Sequence, residues 1–207
     1  LILFWFWNRI NPSKLVDEMQ LRTRSWWVMC IIFLFASIVH PVVTYLALGF
    51  LSFLTLREVY SLLNLREVDR SVLFFCYLSI PIQYYFAFKG FYTLFLIFIP
   101  VFMFIIVPFL LVLTGETKDI IRSMCILPTS LMLGVFGISH LALLINFPEM
   151  NSNGVSGKAL LLFLIFITEA NDIMQFVWGK IFGKHKILPR VSPNKTWEGF
   201  IGGVIST

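Results

Sequence analysis

The chain has 207 residues, of which 58% are hydrophobic and only 13% are charged, and its formal net charge is +5. A soluble domain of this size needs a charged surface that so few Asp, Glu, Lys and Arg residues cannot supply, so the composition excludes an ordinary soluble fold. The basic residues lie between apolar runs rather than along an aromatic-interleaved face, and we therefore expect no nucleic-acid partner.

The N-terminal third of the chain contains two apolar stretches, residues 1–7 and 25–56. The first is too short to cross a bilayer, and we interpret it as part of a span. The second is too long for one ordinary crossing and slightly short for two, and Pro41 lies in its middle. Two crossings place the basic loops on either side of this stretch at the same face of the membrane. We therefore predict a helical hairpin that turns near His40 and Pro41.

Four further apolar runs have the length of single crossings, and they occupy residues 71–88, 91–113, 123–147 and 158–178. With the hairpin, the sequence predicts an all-α, polytopic transmembrane helix bundle with about six crossings and partial segments at both ends. We expect one integral membrane domain, residues 1–207. Because the chain starts without Met inside an apolar run and stops early in another, we also expect sequence to be missing at both ends.

Positive charge is concentrated in four of the loops between spans, which are residues 8–24, 57–70, 115–122 and 179–198. The intervening gaps hold one lysine each, Lys89 and Lys158. Loops rich in Lys and Arg stay in the cytoplasm, so we predict that all four basic loops, including residues 179–198, are cytoplasmic. Residues 57–70 also alternate charged and apolar side chains at helical spacing, which predicts an amphipathic helix lying at the interface.

Polar side chains interrupt the end of the last complete span, where Glu169, Asn171, Asp172 and Gln175 follow an apolar run. On a helix, Thr168, Asp172 and Gln175 share a face. Carboxylates inside a membrane are costly and need a reason. Two interpretations stay open at this point, a polar cavity in the cytoplasmic half of the membrane and a set of hydrogen bonds between helices.

The loop after this span combines lysines, glycines and a predicted helix start. Ser192-Pro193-Asn194 has turn chemistry, Lys195 is a cation, and Thr196-Trp197-Glu198 opens a glycine-bearing helix. Phosphate groups bind where positive side chains meet closely approachable backbone amides at a helix N-terminus. The alternative is an anchor at the lipid headgroups. Asp172 beside such a loop also suits Mg²⁺, which takes one or two carboxylates plus substrate phosphates.

The segment 168–207 resembles the phosphatidate cytidylyltransferase (CDP-diacylglycerol synthase) family. The resemblance lies in Asn171-Asp172, Gly179-Lys180, Gly183-Lys184, Pro189, residues 192–199 (SPNKTWEG) and Gly202-Gly203. It implies transfer of CMP from CTP to phosphatidic acid with release of pyrophosphate, at the bacterial inner membrane, with Mg²⁺ as cofactor. It also allows a homodimer.

Residue roles follow from the same resemblance. Asp172 and Lys195 are the expected catalytic residues, and Asp172 is also the expected metal ligand. The expected substrate-binding residues are Asn171, Lys184, Lys186, Ser192, Asn194, Thr196 and Glu198.

The sequence departs from the family pattern in two places. Ile173 and Gln175-Phe176 stand where the family more often has a small hydroxyl residue and an Ala-Tyr pair, and the family's acidic C-terminal signature is absent from the chain. We therefore expect this chain alone to be inactive, as a portion of a longer enzyme or a truncated relative. Two other functions remain as alternatives: an ion-coupled transporter or channel that uses Glu169 and Asp172, and a catalytically dead membrane scaffold.

Overall fold

The computed structural model describes residues 40–63, 65–146 and 156–207, together with six isolated positions between residues 21 and 34. The apolar run 1–7, the basic loop 8–24 and most of the first arm of the predicted hairpin lie outside the described residues. Within them, five helices are long and apolar enough to cross a membrane: α1 (Pro41–Leu62), α2 (Asp69–Lys89), α3 (Tyr92–Leu113), α4 (Ile120–Ile145) and α5 (Gly157–Phe182). The predicted all-α transmembrane bundle is confirmed.

Within the described residues, a small β-hairpin and one further helix follow α5. The strands are β1 (Lys186–Leu188) and β2 (Ser192–Thr196), and the last helix is α6 (Trp197–Ser206). Helices α2 to α5 match the four predicted single crossings to within a few residues at each end. This agreement has a physical cause, because the thickness of the hydrocarbon layer sets the length of an apolar run that crosses it.

Helix α1 begins where the hairpin was predicted to turn. His40 has an extended backbone and its side chain accepts a hydrogen bond from the amide of Val42, while Pro41 occupies the first helical turn. Proline suits this position because the first turn leaves its amides without intrahelical partners. The helix continues to Leu62, so the separate amphipathic helix predicted for residues 57–70 is wrong. Residues 57–62 of that segment belong to the end of α1, and α2 begins at Asp69.

The two loops 63–68 and 114–119 meet at one end of the bundle. The Arg66 guanidinium donates to the carbonyls of Glu116 at 3.0 Å and Lys118 at 2.6 Å. It also pairs with Asp69, which is fully buried and accepts a further hydrogen bond from the Ser123 hydroxyl at 2.6 Å. Two of the basic loops that were predicted to share one side of the membrane therefore do lie side by side.

Helices α3 and α4 each contain a widened π-helical segment associated with proline. The segment in α3 is Phe98–Met103 and includes Pro100, and the segment in α4 is Met132–Gly137 and follows Pro128. Proline has no amide hydrogen to donate within the helix, and local π geometry is one way in which the surrounding backbone adjusts.

The chain divides into two compact units, residues 36–158 and residues 1–35 with 159–207. In the first unit, fully buried side chains such as Leu48, Leu56, Val107, Leu127 and Leu131 form an apolar core. In the second unit, the described residues from 159 onward form most of α5, the β-hairpin and α6. Every polar residue that the sequence singled out for function belongs to this second unit.

Candidate phosphate-binding site

The β-hairpin lies within residues 179–198, which were predicted to be a basic loop, and it positions the lysine and hydroxyl side chains of that segment. Strands β1 and β2 pair antiparallel, with Lys186 opposite Thr196 and Leu188 opposite Ser192. Thr196 is buried and accepts a hydrogen bond from the amide of Gly199 at 3.2 Å, so it caps the N-terminus of α6. The predicted helix start is therefore confirmed, whereas the turn predicted at residues 192–194 is wrong, because these residues belong to a strand.

Glycines allow the backbones of α5 and α6 to come into direct contact. A side-chain carbon added at Gly199 would lie 2.7 Å from the carbonyl oxygen of Gln175 and 2.9 Å from the Cα of Gly179. One added at Gly203 would lie 2.3 Å from the Gln175 side chain. Contacts this short are not available to any larger residue without movement. The close approach brings the polar end of α5 next to Lys195 and Thr196.

A cavity of about 310 Å³ opens between α5, the hairpin and the start of α6. Its size lies at the lower end of the range that small-molecule sites occupy. The lining residues are Asp172, Gln175, Phe176, Gly179, Lys180, Lys186, Ser192, Asn194, Lys195, Thr196, Gly199 and Phe200. Three lysines and one aspartate give the lining an excess of two positive charges, and two hydroxyls and two side-chain amides add hydrogen-bonding groups. Such a lining suits a phosphate-bearing ligand.

Lys195 lies between two oxygen acceptors of α5. Its ammonium nitrogen is 3.4 Å from Asp172 Oδ1 and 3.5 Å from Gln175 Oε1. Both charged side chains are more than half exposed, so water screens the pair and its net contribution to stability is small. A phosphate group can therefore replace the aspartate as the partner of Lys195 without a large cost.

A line of side-chain hydrogen bonds continues from Lys195 along α5. The Gln175 amide nitrogen donates to Asn171 Oδ1, and Asn171 Nδ2 donates to the Thr207 hydroxyl at 2.7 Å. Gln175 thus holds Lys195 on one side and Asn171 on the other. Thr168 does not take part, because its hydroxyl donates to the carbonyl of Leu164 and the residue does not line the cavity. Of the three side chains predicted to share a polar face, the structure brings two to the cavity.

Glu198 accepts hydrogen bonds from the residues that follow α5. Its carboxylate accepts hydrogen bonds from the amides of Lys184 and His185 and from the His185 ring nitrogen Nδ1 at 2.6 Å. The hydrogen bond from His185, with those from the backbone, lowers the pKa of Glu198 to about 2. The Glu198 carboxylate therefore fixes the chain between α5 and β1.

Six of the nine predicted site residues line the cavity together: Asp172, Lys186, Ser192, Asn194, Lys195 and Thr196. Asn171, Lys184 and Glu198 do not line it, and the roles in substrate binding assigned to them stay predictions. The role assignment from sequence omitted Gln175, Lys180 and the close glycines Gly179 and Gly199. A signal was present for Gly199, because Gly199 and Gly203 are four residues apart and lie on one face of α6.

Asp172 is the one carboxylate in the cavity lining. Within the described parts of the chain, no group of three or more His, Cys, Asp or Glu side chains comes together to hold a metal ion. Mg²⁺ commonly keeps several waters and binds through one or two carboxylates and the phosphates of its substrate. Asp172 therefore fits a minimal site of this kind, in which the substrate supplies most of the remaining oxygens.

Comparison with known proteins gives a match to the model of the cytidylyltransferase family over residues 20–207. A protein of Escherichia coli K12 named "uncharacterized protein YnbB" is 37% identical over 197 residues, which cover 94% of this chain and 63% of that protein. The chain thus spans less than two thirds of the length of this relative.

Shorter matches connect the chain to named enzymes. The phosphatidate cytidylyltransferase of Haemophilus influenzae is 46% identical over 50 residues, or 24% of this chain and 17% of the enzyme. That of Staphylococcus saprophyticus is 38% identical over 61 residues, or 30% of this chain and 24% of the enzyme. No solved structure matches the chain.

Proposed function

The chain belongs to the cytidylyltransferase family, and from this premise we propose that it is part of a membrane enzyme that transfers CMP from CTP to phosphatidic acid. The observation that carries the proposal is the cavity in which Lys180, Lys186 and Lys195 meet Ser192, Thr196 and Asp172. CTP and phosphatidic acid are both rich in phosphate, and their mutual repulsion must be offset before they can react. Positive side chains in a partly enclosed site supply that compensation.

The reaction exchanges one phosphorus–oxygen bond for another. A phosphate oxygen of phosphatidic acid attacks the α-phosphorus of CTP and forms the new bond, while the bond to the β-phosphate oxygen breaks and pyrophosphate leaves with its electrons. The products are CDP-diacylglycerol and pyrophosphate. Charge builds on the oxygens around the α-phosphorus and on the leaving group, so catalysis depends mainly on positioning and electrostatic stabilisation.

The roles of individual residues follow from their places in the cavity. Lys195 stabilises charge at the reacting phosphorus after it exchanges Asp172 for a phosphate oxygen. Ser192, Asn194 and Thr196 donate hydrogen bonds to phosphate oxygens, and Lys186 holds the more distant phosphates of CTP. Asp172 is the residue that would hold Mg²⁺. When bound, this ion would neutralise charge on the phosphates.

The membrane setting suits this chemistry. Helix α5 has 26 residues and is therefore about 39 Å long, which exceeds the roughly 30 Å of a hydrocarbon layer. Its polar end can reach the headgroup region, where the lipid phosphate lies. We propose that this end faces the cytoplasm of a bacterial cell, where CTP is available. A homodimer stays a prediction.

The ion-pathway alternative is less well supported by the position of Asp172. In the structure, the cationic partner of Asp172 is Lys195, which belongs to the hairpin beyond the end of α5. This arrangement favours phosphate handling at the membrane surface.

The decisive experiment measures incorporation of radiolabelled CTP into lipid by membranes that contain the full-length protein, with and without Mg²⁺. We expect a chloroform-soluble product that requires phosphatidic acid and that falls at least 100-fold in Lys195→Ala, the scale of loss when one charge-stabilising group is removed. Lys118→Ala, which removes a loop lysine outside the cavity, is the matched control and retains activity. Absence of a lipid product with the intact protein would contradict the proposed activity and favour the catalytically dead membrane scaffold.

A further inference from the structure

The tip of the β-hairpin is a tight turn that presents apolar side chains. We define the hairpin tip as Leu188, Pro189, Arg190 and Val191. The amide of Val191 donates to the carbonyl of Leu188 at 3.1 Å, which closes a four-residue turn with proline at its second position. Within the part of the chain that the structure describes, the Leu188 side chain is 55% exposed and that of Val191 is 80% exposed. The turn therefore holds two apolar groups outward in a fixed geometry.

The segment that carries the hairpin tip has an excess of positive charge. Residues 173–197 contain five Lys or Arg residues and no Asp or Glu. Arg190 stands within the tip, and Lys184 and Lys186 precede it, all three with exposed side chains. The two carboxylates that flank this segment are each paired with one of its side chains. A surface that combines exposed apolar groups with an excess of cations complements an anionic lipid layer.

The hairpin tip lies apart from the phosphate-binding cavity. The cavity is lined by Lys186 and Ser192 on either side of the tip, but by none of the four tip residues. Phosphate binding therefore does not account for the exposed Leu188 and Val191. The end of α5 provides a second apolar group nearby in sequence, since Ile181 and Phe182 are 65% and 53% exposed.

The hairpin follows closely on the end of α5. Helix α5 crosses the membrane and ends at Phe182, and β1 starts at Lys186. The three intervening residues span at most about 10 Å of extended chain, so β1 begins close to the end of α5. The hairpin is therefore attached by a short linker to a helix that is long and apolar enough to cross a bilayer.

We propose that the hairpin tip docks on the anionic lipid surface of the membrane that α5 crosses. Leu188 and Val191 enter the boundary between headgroups and acyl chains, and Arg190 contacts lipid phosphates. This contact would steady the hairpin whose other end carries Lys195, and it is independent of whether the cavity transfers a nucleotide. The occupant is lipid, and not another segment of protein.

The test places a nitroxide probe at the tip of the full-length protein. Val191→Cys is labelled in a variant whose native cysteines are replaced, and the protein is reconstituted in vesicles of phosphatidylcholine alone or with about one-third phosphatidylglycerol. Collision with oxygen reports a lipid environment, and collision with a water-soluble nickel chelate reports an aqueous one. A second probe at Glu116, in an exposed loop of the other unit, is the aqueous control.

We expect the probe at residue 191 to collide more with oxygen than with the chelate in the anionic vesicles, by several-fold relative to residue 116. The preference should fall in phosphatidylcholine alone and in Arg190→Ala. A probe that stays accessible to the chelate in both vesicles would overturn docking. A probe shielded from both reagents would show that protein covers the tip, which also overturns the proposal. Equal depth in both vesicles would overturn the requirement for anionic lipid.

Discussion

At the scale of single residues, Lys195 is the side chain on which the proposed chemistry depends. Its ammonium is shared between Asp172 and Gln175, at 3.4 Å and 3.5 Å, and it is half exposed. A cation held this loosely is well placed to change partners when a phosphate enters. The neutral Gln175 can stay in contact during that exchange, because it does not compete with the phosphate for charge.

Gln175→Leu tests this positioning role. The substitution removes the acceptor for Lys195 and the donor to Asn171, so Lys195 samples more orientations. Loss of a partly exposed hydrogen bond to a charged group should lower CTP-dependent lipid transfer roughly tenfold, which corresponds to about 1.4 kcal/mol. The measurement is the initial rate in membranes, corrected for protein amount. Met174→Leu, at the neighbouring position outside the cavity lining, should stay near the wild-type rate; equal rates for both variants would contradict the role of Gln175.

The low pKa of Glu198 predicts how the stability of the fold depends on pH. Its pKa is lowered to about 2 by His185 and the nearby amides, so the folded form keeps the group ionised over a wider range than the unfolded chain, where the value is about 4.3. The resulting stabilisation is present above about pH 4.3 and is lost only as the pH falls through about 2.

Glu198→Gln should therefore lower the melting temperature of the detergent-solubilised protein, and the deficit at about pH 5 should be no smaller than at about pH 7. Thermal unfolding followed by tryptophan fluorescence measures both. Glu198→Asp retains the charge and should lose less. A deficit that disappears by pH 5 would mean that the carboxylate is not held as the structure shows.

At the scale of secondary-structure elements, the contact between α5 and α6 depends on glycine. Gly199 and Gly203 of α6 pack against the backbone and side chain of Gln175, and Gly179 of α5 faces Thr196. Any added carbon at Gly199 must push two helices apart at the point where the cavity begins. The spacing of these glycines was visible in the sequence, but which helix they face depends on tertiary structure.

Gly199→Ala should destabilise the protein by about 1–3 kcal/mol, the usual cost of overpacking, and should also reduce transfer because Lys195 moves away from Asp172. Gly49→Ala in α1 is the matched control. There the atoms nearest to an added carbon belong to the Tyr84 ring, at 3.6 Å, which is an ordinary contact. Alanine should be neutral or slightly stabilising at that position. Equal thermal stability of the two variants would contradict the close packing of α5 and α6.

The loops at one end of the other unit are joined through a single buried carboxylate. Asp69 receives hydrogen bonds from Arg66 and Ser123, and Arg66 reaches the 114–119 loop. Asp69→Asn leaves Arg66 without its ionic partner and should cost about 3 kcal/mol, since removal of one member of a buried pair is strongly destabilising. Urea unfolding in detergent measures the loss. Glu67→Gln, at an exposed neighbouring position, should have little effect. A comparable loss of stability there would argue against a specific role of the Arg66–Asp69 pair.

At the scale of the whole molecule, the membrane itself explains how much of the fold was predictable. Helices α2 to α5 follow apolar runs whose length the bilayer dictates, so hydropathy found them. The hairpin did not follow from sequence, because Ser192–Thr196 combines a proline, an asparagine and a lysine that suit turns better than strands. Pairing with Lys186–Leu188 overrides these local preferences. The charges and hydrogen-bonding groups of the cavity residues identified them in the sequence. The role of the glycines beside them could not be predicted, because it depends on the contact between α5 and α6.

The distribution of positive charge predicts which loops face the cytoplasm. Arg66 joins two basic loops at one end of the first unit. From their positive charge we expect these loops, and the basic segment of the second unit, to face the cytoplasm. Cysteine introduced at Glu116 or Lys184 should therefore react with a membrane-impermeant maleimide in inverted vesicles and not in intact cells, while cysteine at Lys89 should show the opposite pattern. The wild-type chain, with its native cysteines, gives the background. Reaction of position 184 from outside the cell would remove CTP from reach of the cavity, and the cytidylyltransferase proposal would fail with it.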